Sequence, residues 1–223
     1  IICAEPIQIY GASRTDAGVH ARFQVCAFQT SGSIPVENIP RATIAHLPKD
    51  IVVTEAVEIP LDWKPRHNIF GKEYIYSIYN REIADPMGQR YHWHVKKPLD
   101  VEAMRQAGKA LEGMHDFSTL KGANTTPVDP VKTIYAIGIK EKAGRIDISV
   151  VGDGFLYHMV RNIAGLLVDI GLGRKSVAQV PELLAAKDRK RIGKTAPAQG
   201  LVLEEIFFTT DRLHAVIERI KEE

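Results

Sequence analysis

The sequence predicts an α+β protein built on a mixed or antiparallel sheet. Three observations carry this. Strand-like stretches come in groups with helix-like stretches between them, rather than in strict alternation. KEYIYSIYN, residues 72–80, alternates aromatic or apolar residues with others at the period of a strand. FLYHMVRNIAGLLVDIG, residues 155–171, places apolar side chains at 156, 159, 160, 163, 166, 167 and 170, the spacing of a helix face.

The remaining elements follow in chain order. Residues 7–10 and 22–29 (RFQVCAFQ) read as strands on either side of the stretch GASRTDAGVHA, residues 11–21. Residues 36–46, between Pro35 and Pro48, predict a short helix, and IVVTEAVEI, residues 51–59, a strand. Asp100 caps a helix over VEAMRQAGKALEG that Gly113 closes. Residues 131–141 and 145–152 predict two strands joined by a turn at Ala143-Gly144. A short helix between Ser176 and Asp188, a strand over GLVLEEIFF (200–208) and a terminal helix from Arg212 complete the chain. Neither low-complexity segments nor short repeats are present. The irregular stretch near residues 80–100 is the place for a boundary, giving an N-terminal part of residues 1–85 and a C-terminal part of 86–223.

Composition narrows the class. A chain of 223 residues allows one large domain or two small ones. No apolar run is long enough to span a membrane, and no signal peptide is visible. The first residue is Ile1 and IICAEP reads like the end of a helix, so the natural start is expected upstream. A net charge of +2 does not by itself announce nucleic acid. Lys187, Arg189, Lys190, Arg191 and Lys194 form a basic cluster that reads as a solvated helix end, with a phosphate-contacting patch as the other reading. Cys3 and Cys26 follow no spacing pattern and read as buried free thiols in a reducing compartment.

GASRTDAGVHA is the stretch that asks for chemistry. As structure, Asp-Ala-Gly after a strand is ordinary turn material. As a site, it sets a carboxylate beside a fixed cation, which favours the ionised form, and Gly11 and Gly18 let backbone approach a ligand. The residues alone leave both readings open. His92 and His94 sit two apart, as metal ligands on one strand face can, but no third ligand is near and they read as surface or groove histidines. Tyr76 and Tyr79 read as core or sheet-face aromatics. Tyr157 and Arg161 are one helical turn apart, and Arg161 alone reads as a capping or surface arginine. GLGRKS, residues 171–176, fails the P-loop pattern because its lysine does not directly follow a glycine. His20 and Asn162 read as supports for backbone.

The stretch G-x-x-R-T-D-A-G-V-H-A resembles the signature of the TruA family of tRNA pseudouridine synthases. KEYIY (72–76), FLYHMVRNIAG (155–165), LLAAKD (183–188) and APAQGL (196–201) resemble further family segments in the expected order, so the likeness covers nearly the whole chain. It implies two similar α/β halves related by a pseudo-twofold, a mixed or antiparallel sheet, and a basic active-site cleft between the halves. It implies isomerisation of uridine to pseudouridine at positions 38, 39 and 40 of the tRNA anticodon arm, in the cytoplasm, by a homodimer, without cofactor or metal. Asp16 aligns with the catalytic aspartate, Arg161 with the basic partner of that carboxylate, and Arg14 with the arginine that helps displace the target nucleotide. Tyr74 aligns with the tyrosine that stacks on the base and Leu201 with an apolar residue under the site.

These residue types suit the reaction. A carboxylate can attack an anomeric carbon, as in retaining glycosidases. A base inside a stem must be extruded, and an aromatic face receives it. Relatives begin with a strand carrying a Phe-Asp-Gly-like stretch, an aromatic-Gly-Trp-Gln segment and a helix, which this chain does not contain, so an N-terminal strand and helix are expected to be missing. A non-catalytic RNA-binding module is the alternative, although it would not need Arg14, Thr15 and Asp16 together. A metal-dependent hydrolase on His92 and His94 is the other.

Overall fold

The computed structural model describes residues 2–123 and 128–222. In chain order its strands and α-helices are β1 (Tyr10–Gly11), β2 (His20–Ala21), β3 (Cys26–Ala27), α1 (Ile39–Thr43), β4 (Gly71–Tyr79), β5 (Trp93–His94), α2 (Val101–Lys109), β6 (Gly113–Asp116), β7 (Val131–Lys142), β8 (Arg145–Gly152), α3 (Met159–Gly171), α4 (Val180–Ala185), β9 (Leu201–Phe207) and α5 (Thr210–Glu222). They fall into two compact units. One holds the residues up to Ser13 with Val25–Asn68, and the other holds Arg14–Gln24 with the residues from Ile69 onward. A division into similar halves at residue 85 concerns internal likeness rather than compactness.

In the first unit β1 and β3 pair antiparallel over two residues, Tyr10 opposite Ala27 and Gly11 opposite Cys26. The strands expected over 7–10 and 22–29 are therefore far shorter. The Glu5 carboxylate gathers the turn at Thr30 and Ser31, accepting from Thr30 Oγ1 at 2.6 Å and Ser31 N at 2.7 Å. The helix expected after Pro35 is present as a 3-10 turn running into α1. IVVTEAVEI is not a strand: residues 51–59 carry no ladder, and Ile51, Val52 and Val57 lie more than half exposed. A β-like composition makes a strand only where another edge offers its N–H and C=O groups. The thiols are also more open than expected. Both are free, Cys3 half-buried and Cys26 exposed.

The second unit holds a seven-stranded sheet with path β2-β9-β4-β8-β7-β6 and β5 beside the end of β4. β2 runs parallel to β9 and β5 parallel to β4, while β4, β6, β7, β8 and β9 pair antiparallel. The mixed sheet with helices is the α+β class read from the sequence. The hairpin turn falls at Ala143-Gly144, whose φ values of 53° and 80° supply the two positive angles that a tight two-residue connection requires. The short pieces β5 and β6 gave no periodic signal.

The period-2 register distributes the side chains. Tyr74 and Tyr76 stand opposite Val150 and Ile148, which stand opposite Ile137 and Ile139. That face carries α2, whose Gly108 admits Ile137 and Ile139 closely, and α3 packs against both α2 and β4. The other face carries α5, where Ala136, Val151 and Phe207 pack with Leu213, Val216 and Ile220. On that same face buried Glu73 pairs with Arg219 of α5 at 2.7 Å.

α3 is apolar nearly all round and buried along its length, as a central helix must be. It begins at Met159, four residues later than the sequence pattern suggests, with His158 at its N-terminal edge. α2 starts where Asp100 accepts from Ala103 N at 2.9 Å and ends at Lys109, before Gly113, which opens β6 with a φ of 101°. In mid-helix, a Cβ on Gly165 would lie 2.2 Å from the carbonyl oxygen of Lys194. The chain after α4 thus crosses α3 at a residue without a side chain.

Gly165→Ala should reverse the usual helix preference. Alanine is ordinarily favoured by about 1 kcal/mol within a helix, but here the clash should cost about 1–3 kcal/mol. A urea denaturation midpoint lower than that of the unaltered protein is the expected result.

Candidate active site

The stretch 14–21 lies within the second unit, tied to the sheet by β2 at the edge of β9, His20 opposite Val202. Just before β2 the chain turns tightly. Val19 N donates to Asp16 O at 3.0 Å, and Gly18 takes the positive φ, 81°, that the third position of such a turn calls for. Asp-Ala-Gly is therefore turn material, as its structural reading held, and the turn aims the Asp16 side chain.

Two side-chain nitrogens lie against one oxygen of that carboxylate. Arg161 NH1 donates to Asp16 Oδ2 at 2.9 Å, and His158 Nε2 lies 3.3 Å from the same atom. The three side chains are largely buried, with exposures of 21% for Asp16, 14% for Arg161 and 23% for His158. Arg161 is neither a cap nor a surface residue.

The guanidinium has a second anchor. Arg161 Nε donates to Ala196 O at 2.8 Å, and Ala196 N donates back to Arg161 O at 3.2 Å. The same strap, residues 194–200, is bound to the sheet by Tyr76, whose hydroxyl donates to Pro197 O at 2.8 Å. A Cβ at Gly200 would come within 2.7 Å of the Tyr76 ring, so only glycine lets the strap lie against it. Burial pushes the Tyr76 phenol well up, which keeps it a donor.

Asn162, the next residue of α3, fixes the far end of the strap. Its buried amide donates to Leu120 O at 2.7 Å, and its carbonyl accepts from Thr195 Oγ1 at 2.8 Å and Arg189 NH2 at 3.0 Å. The basic cluster is thus partly structural. Arg189 reaches inward to Asn162 and Thr195, Lys187 pairs with Asp116 at 2.6 Å, and Arg191 pairs with Glu182 at 2.7 Å.

His158 occupies a left-handed backbone position, φ 61° and ψ 3°. Tyr157 stacks on its ring at 3.7 Å and 25°. Burial, first, and then the charges of Arg161 and Arg189 lower its pKa, while Asp16 pulls the other way. The net direction is down, so the ring is neutral at pH 7. This residue was missed in the sequence, although it stands three positions before Arg161 within FLYHMVRN.

The other candidates lie as follows. Arg14 is exposed, two residues before the carboxylate. Tyr74 is 7% exposed and meets Phe155 edge-on, with centroids 5.3 Å apart. Leu201 is buried at the start of β9, opposite Tyr76. His20 Nε2 bonds Arg90 O at 2.8 Å, tying the turn before β5 to β2. His92 and His94 are not surface ligands. His94 Nε2 bonds Arg81 O at 2.8 Å, and His92 is buried against Tyr79. Among the described residues no three His, Cys, Asp or Glu side chains are grouped to hold a metal ion. An open concavity of about 520 Å³ is lined by Lys140, Lys142, Ala143, Arg145 and Asp147 at the β7–β8 hairpin and includes none of the residues around Asp16.

Comparison with known proteins finds relatives along most of the chain. A family model described as tRNA pseudouridine synthase matches residues 2–68 and 107–209. The tRNA pseudouridine synthase A of Brevibacillus brevis is 42% identical over 207 residues, 93% of this chain and 85% of that protein. That of Myxococcus xanthus is 43% identical over 203 residues, 91% of this chain and 77% of the relative. The tRNA pseudouridine synthase A 2 of Clostridium tetani is 41% identical over 204 residues, 92% and 82% respectively.

His158 gives a prediction in pH. The unfolded chain takes up the proton near the ordinary value of 6.5, while the folded protein takes it up only at lower pH. The contribution of His158 to stability is therefore level above that value and falls as the pH drops from it to the folded pKa. Asp16→Asn removes the one neighbour that favours the charged ring, so NMR titration should find the His158 pKa lower still. An upward shift would contradict this electrostatic picture.

Proposed function

The chain belongs to the tRNA pseudouridine synthase family, and on that premise we propose that it isomerises uridine to pseudouridine at positions 38, 39 and 40 of the tRNA anticodon arm, with Asp16 as the nucleophile. One observation carries the assignment of the carboxylate: Asp16 and Arg161, 145 residues apart in the chain, meet at 2.9 Å. Both residues lie in stretches that resemble the family, GASRTDAGVHA and FLYHMVRNIAG.

The reaction breaks the N1–C1′ bond of uridine, turns the uracil and rejoins it through C5. In the route through C1′, an Asp16 oxygen bonds C1′ as the N1–C1′ electron pair leaves with uracil. C5 then displaces the carboxylate, C5 loses its proton to solvent, and N1 takes one up. Electrons and atoms balance without an oxidant or reductant. The same carboxylate could instead add to C6, or serve a glycal route in which Asp16 or Tyr74 removes the 2′ proton. A C2′ deuterium isotope effect near unity would count against the glycal route. In each route the donors on Oδ2 suit a carboxylate that must stay ionised until it reacts.

The other roles follow from position. Arg14, exposed beside the turn, is suited to enter the stem and take the place of the extruded nucleotide. Tyr74 and Leu201 lie on the sheet face that carries α3, and we assign them the base-stacking contact and the apolar floor. Lys140, Lys142 and Arg145 are suited to phosphate contacts. We place the enzyme in the cytoplasm as a homodimer of two-halved chains, divided near residue 85, and assign it no cofactor. No helix among the described residues is long and apolar enough to cross a membrane.

Release of tritium from tRNA labelled at uridine C5 tests the reading. The unaltered protein should release it. Asp16→Asn should lose activity by about 10⁴-fold or more while binding tRNA nearly as well, since phosphate contacts dominate affinity. A variant keeping about one tenth of the rate would remove Asp16 as nucleophile. An unaltered protein that binds tRNA and releases nothing would be an RNA-binding module.

A further inference from the structure

We propose that His158 is a positioning residue: an imidazole that, together with Arg161, occupies Oδ2 of Asp16 and so leaves Oδ1 as the oxygen that meets the nucleotide. The inference rests on the pseudouridine synthase reading and adds which oxygen reacts and what holds it in place.

The geometry comes first. Arg161 NH1 and His158 Nε2 both address Oδ2, at 2.9 and 3.3 Å. The hydrogen bond from Arg161 goes to Oδ2 and not to Oδ1. A carboxylate hydrogen-bonded by Arg161 and flanked by His158 at the same oxygen is restrained about its last bond, so the other oxygen keeps its direction. When Oδ1 forms a bond to carbon, Oδ2 becomes a carbonyl oxygen and both donors still have an acceptor. Nothing in the pocket needs to reorganise.

The local structure is arranged for the ring rather than for the helix. The residue preceding an α-helix usually caps it with a side-chain oxygen. His158 makes no such bond, and its backbone sits in the left-handed region that non-glycine residues enter at a cost. The ring goes to Asp16 instead. Tyr157 covers one of its faces. Gly122 N donates to Tyr157 O at 2.7 Å, and a Cβ at Gly122 would lie 2.6 Å from the Tyr157 ring and 3.1 Å from His158 Nδ1. A glycine, a stacked tyrosine and a strained backbone thus converge on one imidazole orientation. A local rule broken at a site, with its surroundings shaped to allow it, marks function.

The charges fit a neutral donor. Burial, Arg161 on α3 and Arg189 beyond α4 all disfavour the imidazolium, and Asp16 alone favours it. A neutral ring can donate to Oδ2 only with its hydrogen on Nε2. A charged ring would place a second cation on the nucleophile and make its oxygen a poorer one.

The test uses His158→Gly and His158→Gln in the tritium-release assay, with thermal melts alongside. Glycine accepts the left-handed backbone, so His158→Gly should keep its melting temperature yet lose about 10²-fold in kcat with KM little changed. Glutamine can put an amide N–H near the Nε2 position, and should restore kcat to within about tenfold of the unaltered enzyme. The unaltered kcat should fall as acid charges the ring, and the glutamine variant should lack that limb. Imidazole ¹⁵N shifts should report the Nε2–H tautomer at neutral pH, whatever the turnover. Unaltered kcat in His158→Gly, glutamine no better than glycine, a charged ring, or the Nδ1–H tautomer would each overturn the proposal. An unaltered protein without tritium release would overturn the functional reading itself, and this inference with it.

Discussion

The guanidinium of Arg161 is held at two points, and the arrangement of the site follows from that. Nε is bound to the backbone carbonyl of Ala196 and NH1 to the carboxylate of Asp16. Arginine suits this because its planar fork donates in two fixed directions, which a lysine ammonium on a flexible stem cannot do. The Asp16 turn itself is anchored on the chain by the two residues of β2 at the edge of the sheet. The turn aims the carboxylate and the arginine holds it, and the arginine gains its position from α3 and the strap.

Those supports rest on the sheet. Tyr76, fully buried in β4, carries the strap through Pro197, and the Tyr76–Leu201 register sets where β9 begins after it. Asn162 donates from its amide nitrogen to Leu120 and accepts at its carbonyl from Thr195 and Arg189. A buried polar network of this kind holds one arrangement when every member is satisfied and is costly when one is not. The Asp16 carboxylate is therefore positioned by four stretches far apart in sequence: residues 14–21, β4, the start of α3 and residues 189–201.

Much of this fold was legible in the sequence because long-period signals survive averaging. The alternation of residues 72–80, the turn at Ala143-Gly144 and the apolar face of 155–171 all mark elements that bury large surfaces. The signal misled where burial was absent. Residues 51–59 have the composition of a strand but no neighbouring edge, and Cys26 has an apolar context but an exposed position. Within the site, the sequence showed Asp16 and Arg161 by resemblance only, since nothing local announces a contact across 145 residues. His158 was hidden for another reason: a left-handed residue at a helix start has no periodic signature, and its partner lies in a distant loop.

The central claim is that Arg161 acts through its two-point geometry and not merely as a positive charge. Arg161→Lys is the direct test, since it keeps the charge and loses the fork. The measurement is kcat for tritium release, with folding checked by thermal melting. The expected result is a folded protein slowed by about 10²-fold or more. A lysine variant that turns over at the unaltered rate would contradict it, and would show that charge near Asp16 is enough.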